Sequence, residues 1–233
     1  MFTQKFQAWV RKWAERCVGI FRDSPVTPNM LTLIGLGITL LGAALVAGGH
    51  LFTGGVVLLF AGLFDILDGA LARAAGKVYR YGAFLDSTVD RYSEGVVYLA
   101  ILVYYLFAHQ VLQPILVVVA LGGSFLVSYV RARAQSLGFK CDGGVLARPE
   151  RVVIIVAGLL LDPIRLAGGI SPLTIALWIL AVGTNLTAVQ RVWLVWQQNR
   201  VELRALRGRT VRPLDERPVR AAMRRFFATW SKG

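Results

Sequence analysis

Residues 26–64 read VTPNMLTLIGLGITLLGAALVAGGHLFTGGVVLLFAGLF and contain no Asp, Glu, Lys or Arg. One bilayer crossing takes about 20 apolar residues, so this run is long enough to cross roughly twice, with Gly48, Gly49 and His50 as the turn between passes. Residues 95–130 form a second uncharged run of the same kind. Across the chain of 233 residues, 56% are hydrophobic and 17% charged, and the charges are gathered into clusters instead of spread over amphipathic stripes. That is the composition of a membrane protein, not of a soluble core. The net charge of +13 raises nucleic acid as a partner. No basic face interleaved with stacking aromatics accompanies it, and cytoplasmic membrane loops account for it more simply, so no nucleic-acid partner is expected.

The expected fold is all-α: six transmembrane helices, near 30–49, 52–74, 82–107, 111–136, 147–166 and 171–195, preceded by an interfacial helix. The turns at Gly48–His50, around His109 and Gln110, and at Gly168, Gly169 and Pro172 carry almost no positive charge. The alternate segments do. Lys5, Arg11, Lys12, Arg16 and Arg22 precede the first span; Arg73, Lys77 and Arg80 lie between the second and third; Arg131, Arg133, Lys140, Arg148 and Arg151 lie between the fourth and fifth; the end of the chain is rich in Arg. Strict alternation of basic and neutral loops fits an even number of spans with both termini in the cytoplasm, at the inner (plasma) membrane.

Three segments follow: 1–25, 26–196 and 197–233. In the first, Phe2, Phe6, Trp9, Val10, Trp13, Cys17 and Ile20 recur at helical spacing with Lys and Arg between them, which predicts an amphipathic helix in the interface plane. A soluble helix packed on another domain is the alternative, although no other soluble domain is visible. The second is the six-span membrane domain and the third a basic cytoplasmic tail. Residues 219–230 of that tail could form a second short basic helix on anionic headgroups, or stay solvated. Charges throughout the first 25 residues argue against a cleaved signal peptide. Cys17 and Cys141 read as reduced bystanders, not as a disulfide.

Ionisable residues inside spans are costly and serve as functional-site hypotheses by default. Asp65, Asp68, Arg73, Asp86, Asp90 and Glu94 fall in the cytoplasmic halves of the second and third spans. Asp65 and Asp68 are three apart and Asp86 and Asp90 four apart, so each pair projects from one helix face. A short loop makes the two helices antiparallel, and four carboxylates can converge. Unpaired, they would repel strongly in a low dielectric; they are either largely protonated or surround cations. Oxygen donors without His or Cys favour Mg2+ or Mn2+, and two such ions can clamp a diphosphate. Gly69 and Ala72 remove bulk where a ligand would approach, and Arg73 adds a fixed charge for phosphate. Interhelical ion pairs or a proton path are the competing readings of the spacing.

The segment from Asp65 to Asp90 reads D-x2-D-G-x2-A-R-x8-G-x3-D-x3-D, filled by Asp65, Asp68, Gly69, Ala72, Arg73, Gly82, Asp86 and Asp90. It resembles, without a mismatch, the signature of the CDP-alcohol phosphotransferase family. The six-span plan with an interfacial helix is similar over most of the chain. The resemblance implies a homodimeric membrane enzyme acting on CDP-diacylglycerol. Asp65, Asp68 and Asp86 would hold the metals; Asp90 would ligate metal and serve as general base toward the acceptor hydroxyl. Asp68, Gly69, Ala72 and Arg73, with Thr27, Pro28 and Asn29, would hold the CDP-lipid. Tyr79 stands where a small hydroxyl residue is usual in the family.

Arg191 is a charge in an otherwise apolar segment and needs a partner or a ligand. Arginines converging on one cavity read as a phosphate pocket, while positive-inside charges explain Arg133, Lys140 and Arg148 as well. The run SYVRARAQSLGFKCDGGVLARPER, from Ser128 to Arg151, is similar to the branch of the family whose acceptor is inositol 1-phosphate. That similarity implies an acceptor-phosphate site at Ser128, Arg131, Arg151 and Arg191, with Arg131 standing where Lys is usual. The expected reaction moves the phosphatidyl group of CDP-diacylglycerol to inositol 1-phosphate, or another phosphorylated polyol, and releases CMP. Glycerol 3-phosphate is the rival acceptor, and a non-catalytic cation transporter is the rival of another class.

Overall fold

In the computed structural model the described residues are 27–74, 80–141, 143–164 and 169–208, with the side chains of 28, 66–74 and 204–208 outside that description. The expected interfacial helix within 1–25, Cys17 and the helix expected near 219–230 lie outside the described residues. Among the described residues six helices follow in order: α1 Pro28–Ala47, α2 Leu51–Ala74, α3 Arg80–Phe107, α4 Leu112–Ser136, α5 Arg148–Leu161 and α6 Pro172–Gly208. No strand occurs among the described residues. Asn29–Ala47, Leu112–Ser136 and Pro172–Leu203 are long and apolar enough to cross a membrane, and Leu51–Asp65 is a shorter apolar stretch. Leu41, Phe60, Phe107, Val118, Val153 and Leu186 are among many large apolar side chains left exposed, as befits an integral membrane protein whose outer surface meets lipid.

Local chemistry sets the ends of α1. Thr27 is extended, and its hydroxyl accepts a hydrogen bond from the Met30 amide at 3.3 Å, with Pro28 in the first turn where its missing N–H costs nothing. At the other end Gly49 takes φ 86°, and the His50 amide closes the turn on the Leu45 carbonyl at 2.9 Å. The helix then returns as α2 in close contact with α1. A Cβ at Gly54 would stand 2.9 Å from the Gly42 carbonyl oxygen, so the two backbones nearly touch. Small residues at a crossing are what bring helices together where no hydrophobic drive separates lipid from protein.

The principal packed pairs form a closed circuit: α2 with α1, α1 with α3, α3 with α4, α4 with α6, α6 with α5, and α5 with α2. Tyr98, Ile101, Val117, Ala120, Leu159, Leu177 and Leu180 fill the interior. Neutral hydrogen bonds tie the circuit. Tyr98 and Ser124 pair at 3.2 Å between α3 and α4, and the Asn185 amide on α6 donates to the Val119 carbonyl on α4 at 3.2 Å.

Two helices depart from the expected spans. The fifth, expected over 147–166, stops at Leu161; its 14 residues reach roughly 21 Å at about 1.5 Å each, short of a hydrocarbon core of about 30 Å. Buried Asp162 follows, and it accepts a hydrogen bond from Ser171, whose oxygen also caps the Thr174 amide at the start of α6. The sixth runs past its expected end at 195 to Gly208. Residues 197–208 are mostly good helix formers, and Arg200 lies 4.6 Å over the Trp196 ring.

The segment joining α4 to α5, expected as a basic loop, folds inward. Cys141 and Leu146 are buried, and Cys141 is a free thiol. Three α6 side chains satisfy the segment's backbone: Thr187 accepts from the Leu146 amide at 3.1 Å, Arg191 donates to the Gly143 carbonyl at 2.8 Å, and Gln198 both accepts from and donates to the Lys140 backbone at 3.0 and 2.6 Å. Where such an irregular segment turns inward its backbone needs partners, since an unpaired buried peptide group is costly.

Candidate functional site

Asp65 on α2 and Asp86 and Asp90 on α3 bring one carboxylate oxygen each within 4.8 Å of one another. The four-residue spacing puts Asp86 and Asp90 on the same face of α3, and the packing of the circuit brings Asp65 of α2 to them. Asp90 is buried and Asp65 half-buried. Three carboxylates this close, with oxygen donors alone, match the donor set of a hard divalent cation. The side chains of Asp68, Gly69, Ala72 and Arg73, and all of Tyr79, lie outside the described residues.

A residue the sequence reading did not place here enters the cluster from α5. Arg148 Nη1 lies 2.7 Å from Asp65 Oδ2, and Arg148 Nη2 lies 2.5 Å from Asp90 Oδ1. Its guanidinium spans the two helices that carry the aspartates. Read from the sequence, Arg148 is an ordinary positive-inside charge. Only the packing of α5 on α2 reveals its reach, although five acidic residues in spans already called for more compensating charge than Arg73 supplies.

The arginines expected at the acceptor phosphate differ in environment. Arg151 is buried at 1% exposure and pairs with Glu94 through Nε–Oε1 at 2.7 Å and Nη2–Oε2 at 3.0 Å. Its Nη1 reaches the Leu146 carbonyl at 3.4 Å, and Arg91 approaches Glu94 at 3.9 Å. Arg191 is also buried, donating from Nη1 to the Val127 carbonyl at 2.7 Å and from Nε to Gly143. Ser128, next to Val127, is half-buried and donates to the Ser124 carbonyl at 3.1 Å; Arg131 is exposed. Glu94 stood out in the sequence as an ionisable residue in a span, and its need for a cation was the available sign of the Arg151 pairing.

At the start of α1, Thr27 caps the helix and Asn29 lies against α3. A Cβ built on Gly82 would sit 3.3 Å from Asn29 Oδ1, so the glycine of the Asp65–Asp90 motif leaves room for this side chain. The nucleotide-binding residues expected on α1 therefore adjoin the helix that bears Asp86 and Asp90.

Fold and site together define an integral membrane protein, all-helical in its described residues, whose acidic centre suits a divalent cation. The family model for CDP-alcohol phosphatidyltransferases matches residues 25–197. Phosphatidylinositol phosphate synthase of Mycobacterium tuberculosis is 38% identical over 174 residues, 73% of this chain and 80% of that protein. Its counterpart in Corynebacterium glutamicum is 37% identical over 170 residues, 72% of this chain and 76% of the relative. The crystal structure of the M. tuberculosis enzyme with CDP-DAG bound aligns with a TM-score of 0.73 at 35% identity, covering 78% of this chain and 93% of that one. The same enzyme in complex with manganese and citrate aligns with a TM-score of 0.71, covering 78% and 88%. This chain belongs to the CDP-alcohol phosphatidyltransferase family.

Proposed function

We infer that this chain is a metal-dependent phosphatidyltransferase that converts CDP-diacylglycerol and inositol 1-phosphate into phosphatidylinositol phosphate and CMP. The observation that carries the reading is the convergence of Asp65, Asp86 and Asp90 within 4.8 Å, in a chain that resembles phosphatidylinositol phosphate synthases over nearly three quarters of its length. Asp65, Asp68, Asp86 and Asp90 would hold two divalent cations, Mg2+ or Mn2+. When bound, such ions neutralise the diphosphate and stabilise charge on the entering and leaving oxygens.

The residues supply the rest. Thr27, Pro28 and Asn29 on α1 and Asp68, Gly69, Ala72 and Arg73 on α2 hold the CDP-lipid. Ser128, Arg131, Arg151 and Arg191 hold the acceptor's phosphate, so that its hydroxyl faces Asp90. Asp90 takes the hydroxyl proton as the acceptor oxygen bonds to the lipid-side phosphorus and the bond to CMP breaks. Positioning carries much of such a reaction, because holding two reactants in line turns a bimolecular step into a local one.

Six membrane crossings with both termini and the active site on the cytoplasmic face of the inner membrane, and assembly as a homodimer, complete the reading. Residues 1–25 and 197–233 flank the catalytic part as interfacial helix and basic tail. The test is purified protein with CDP-diacylglycerol and Mg2+, offered inositol 1-phosphate, glycerol 3-phosphate, inositol or serine separately. CMP release with inositol 1-phosphate alone is expected; release with glycerol 3-phosphate alone would reassign the acceptor.

A further inference from the structure

Arg148 holds two of the carboxylates that would ligate the proposed cations. Its guanidinium contacts Asp65 at 2.7 Å and Asp90 at 2.5 Å, two of the three carboxylates that converge within 4.8 Å. A planar guanidinium and a dication cannot both occupy the facing oxygens of the same two carboxylates. The dication carries twice the charge on a much smaller radius, and hard oxygen donors favour it. Arg148 is built to let go. Its side chain is about 29% exposed, and its Nε is buried without a hydrogen-bond partner, so only the two terminal nitrogens hold it in the cluster. Arg151, in contrast, is fixed by Glu94 through two hydrogen bonds in the closed interior.

Arg148 lies three residues before Arg151 on α5, so both project from one face toward the same side of the circuit. Released from Asp65 and Asp90, the guanidinium is a cation at the rim of the site, one turn from the arginine assigned to the acceptor's phosphate. An arginine fork suits a phosphate geometrically as it suits a carboxylate.

We propose that Arg148 is the counter-ion of the aspartate cluster before metal binds, and that once a divalent cation takes its place it turns to the phosphate of the acceptor. This rests on the metal and acceptor reading above and deepens it. Cation loading and acceptor binding become linked through one side chain. A ligand that binds better to the state with Arg148 released must in turn favour cation binding.

The test is Mn2+ binding to the purified full chain, followed by electron paramagnetic resonance without lipid or acceptor, alongside steady-state kinetics. With its competitor removed, Arg148→Gln is expected to bind Mn2+ about tenfold more tightly than the wild type, while its KM for inositol 1-phosphate rises and its KM for CDP-diacylglycerol stays unchanged. Arg148→Lys, which keeps the charge but replaces the planar two-pronged fork with a single ammonium, should fall between the two in Mn2+ affinity. Weaker Mn2+ binding in Arg148→Gln would show that Arg148 only holds the cluster in shape, and would overturn the proposal. Unchanged Mn2+ affinity, or equal rises in both KM values, would overturn it too. Asp86→Asn separates this failure from failure of the metal reading: if that variant binds Mn2+ like the wild type, the aspartate site itself is wrong.

Discussion

Glu94 and Arg151 form a two-point ion pair between α3 and α5, with N–O distances of 2.7 and 3.0 Å and both side chains at or below 4% exposure. Removing one partner of such a pair leaves a charge buried without compensation. Glu94→Gln is expected to cost about 3–5 kcal/mol of stability, read as a fall in Tm of the detergent-purified protein. Replacing both residues by apolar ones, Glu94→Leu with Arg151→Met, should recover much of that loss but none of the activity. Recovery of both would show that Arg151 serves packing alone.

Asp90 bears the proton transfer in the proposed mechanism. Asp90→Asn is expected to lower kcat by about a hundred- to ten-thousand-fold, the range of a lost general base, while CDP-diacylglycerol still binds in an equilibrium assay. Full activity in this variant would remove Asp90 from that role.

Arg191 holds the Gly143 and Val127 carbonyls, and so ties the segment before α5 to α6 and α4. Arg191→Gln should raise the KM for inositol 1-phosphate far more than the KM for CDP-diacylglycerol, and should make residues 137–147 more sensitive to limited proteolysis. Increased proteolysis with equal changes in both KM values would leave Arg191 a strap and take it out of the acceptor site.

Gly54 and Gly35 both lie on apolar helices, yet only Gly54 faces a crossing. Gly54→Leu would drive a side chain into Val46 and the Gly42 carbonyl, and is expected to cost about 1–3 kcal/mol in thermal unfolding. At Gly35 nothing lies within 4 Å of an added Cβ. Gly35→Ala should be neutral or stabilise by up to about 1 kcal/mol, because helix interiors favour alanine. Similar losses from both would mean that the α1–α2 contact is not the cause.

The legible part of this molecule is what local periodicity dictates. Uncharged runs announced the helices, the spacing of Asp86 and Asp90 announced a shared face, and Gly48–Gly49 announced the turn that His50 closes. The illegible part depends on which helix packs on which. The reach of Arg148 across to α2 and α3 follows from the contact of α5 with α2, and no interval in the sequence encodes it. The burial of Cys141 and Leu146 was hidden for the same reason: the polar character around them suggested solvent, whereas Thr187, Arg191 and Gln198 on a distant helix bond the backbone of Leu146, Gly143 and Lys140. The extension of α6 past 195 is illegible because Gln197, Gln198, Arg200 and Glu202 read as the start of a polar tail, while helix propensity carries the helix on.

The most direct test of the whole account is CMP release from CDP-diacylglycerol and inositol 1-phosphate by purified protein dialysed exhaustively against EDTA, then supplied again with Mn2+ or Mg2+. Turnover should vanish on chelation and return with either ion in the wild type, but not in Asp65→Asn or Asp86→Asn. Undiminished CMP release in the chelated protein would contradict the central claim that carboxylates from α2 and α3 work by gathering divalent cations.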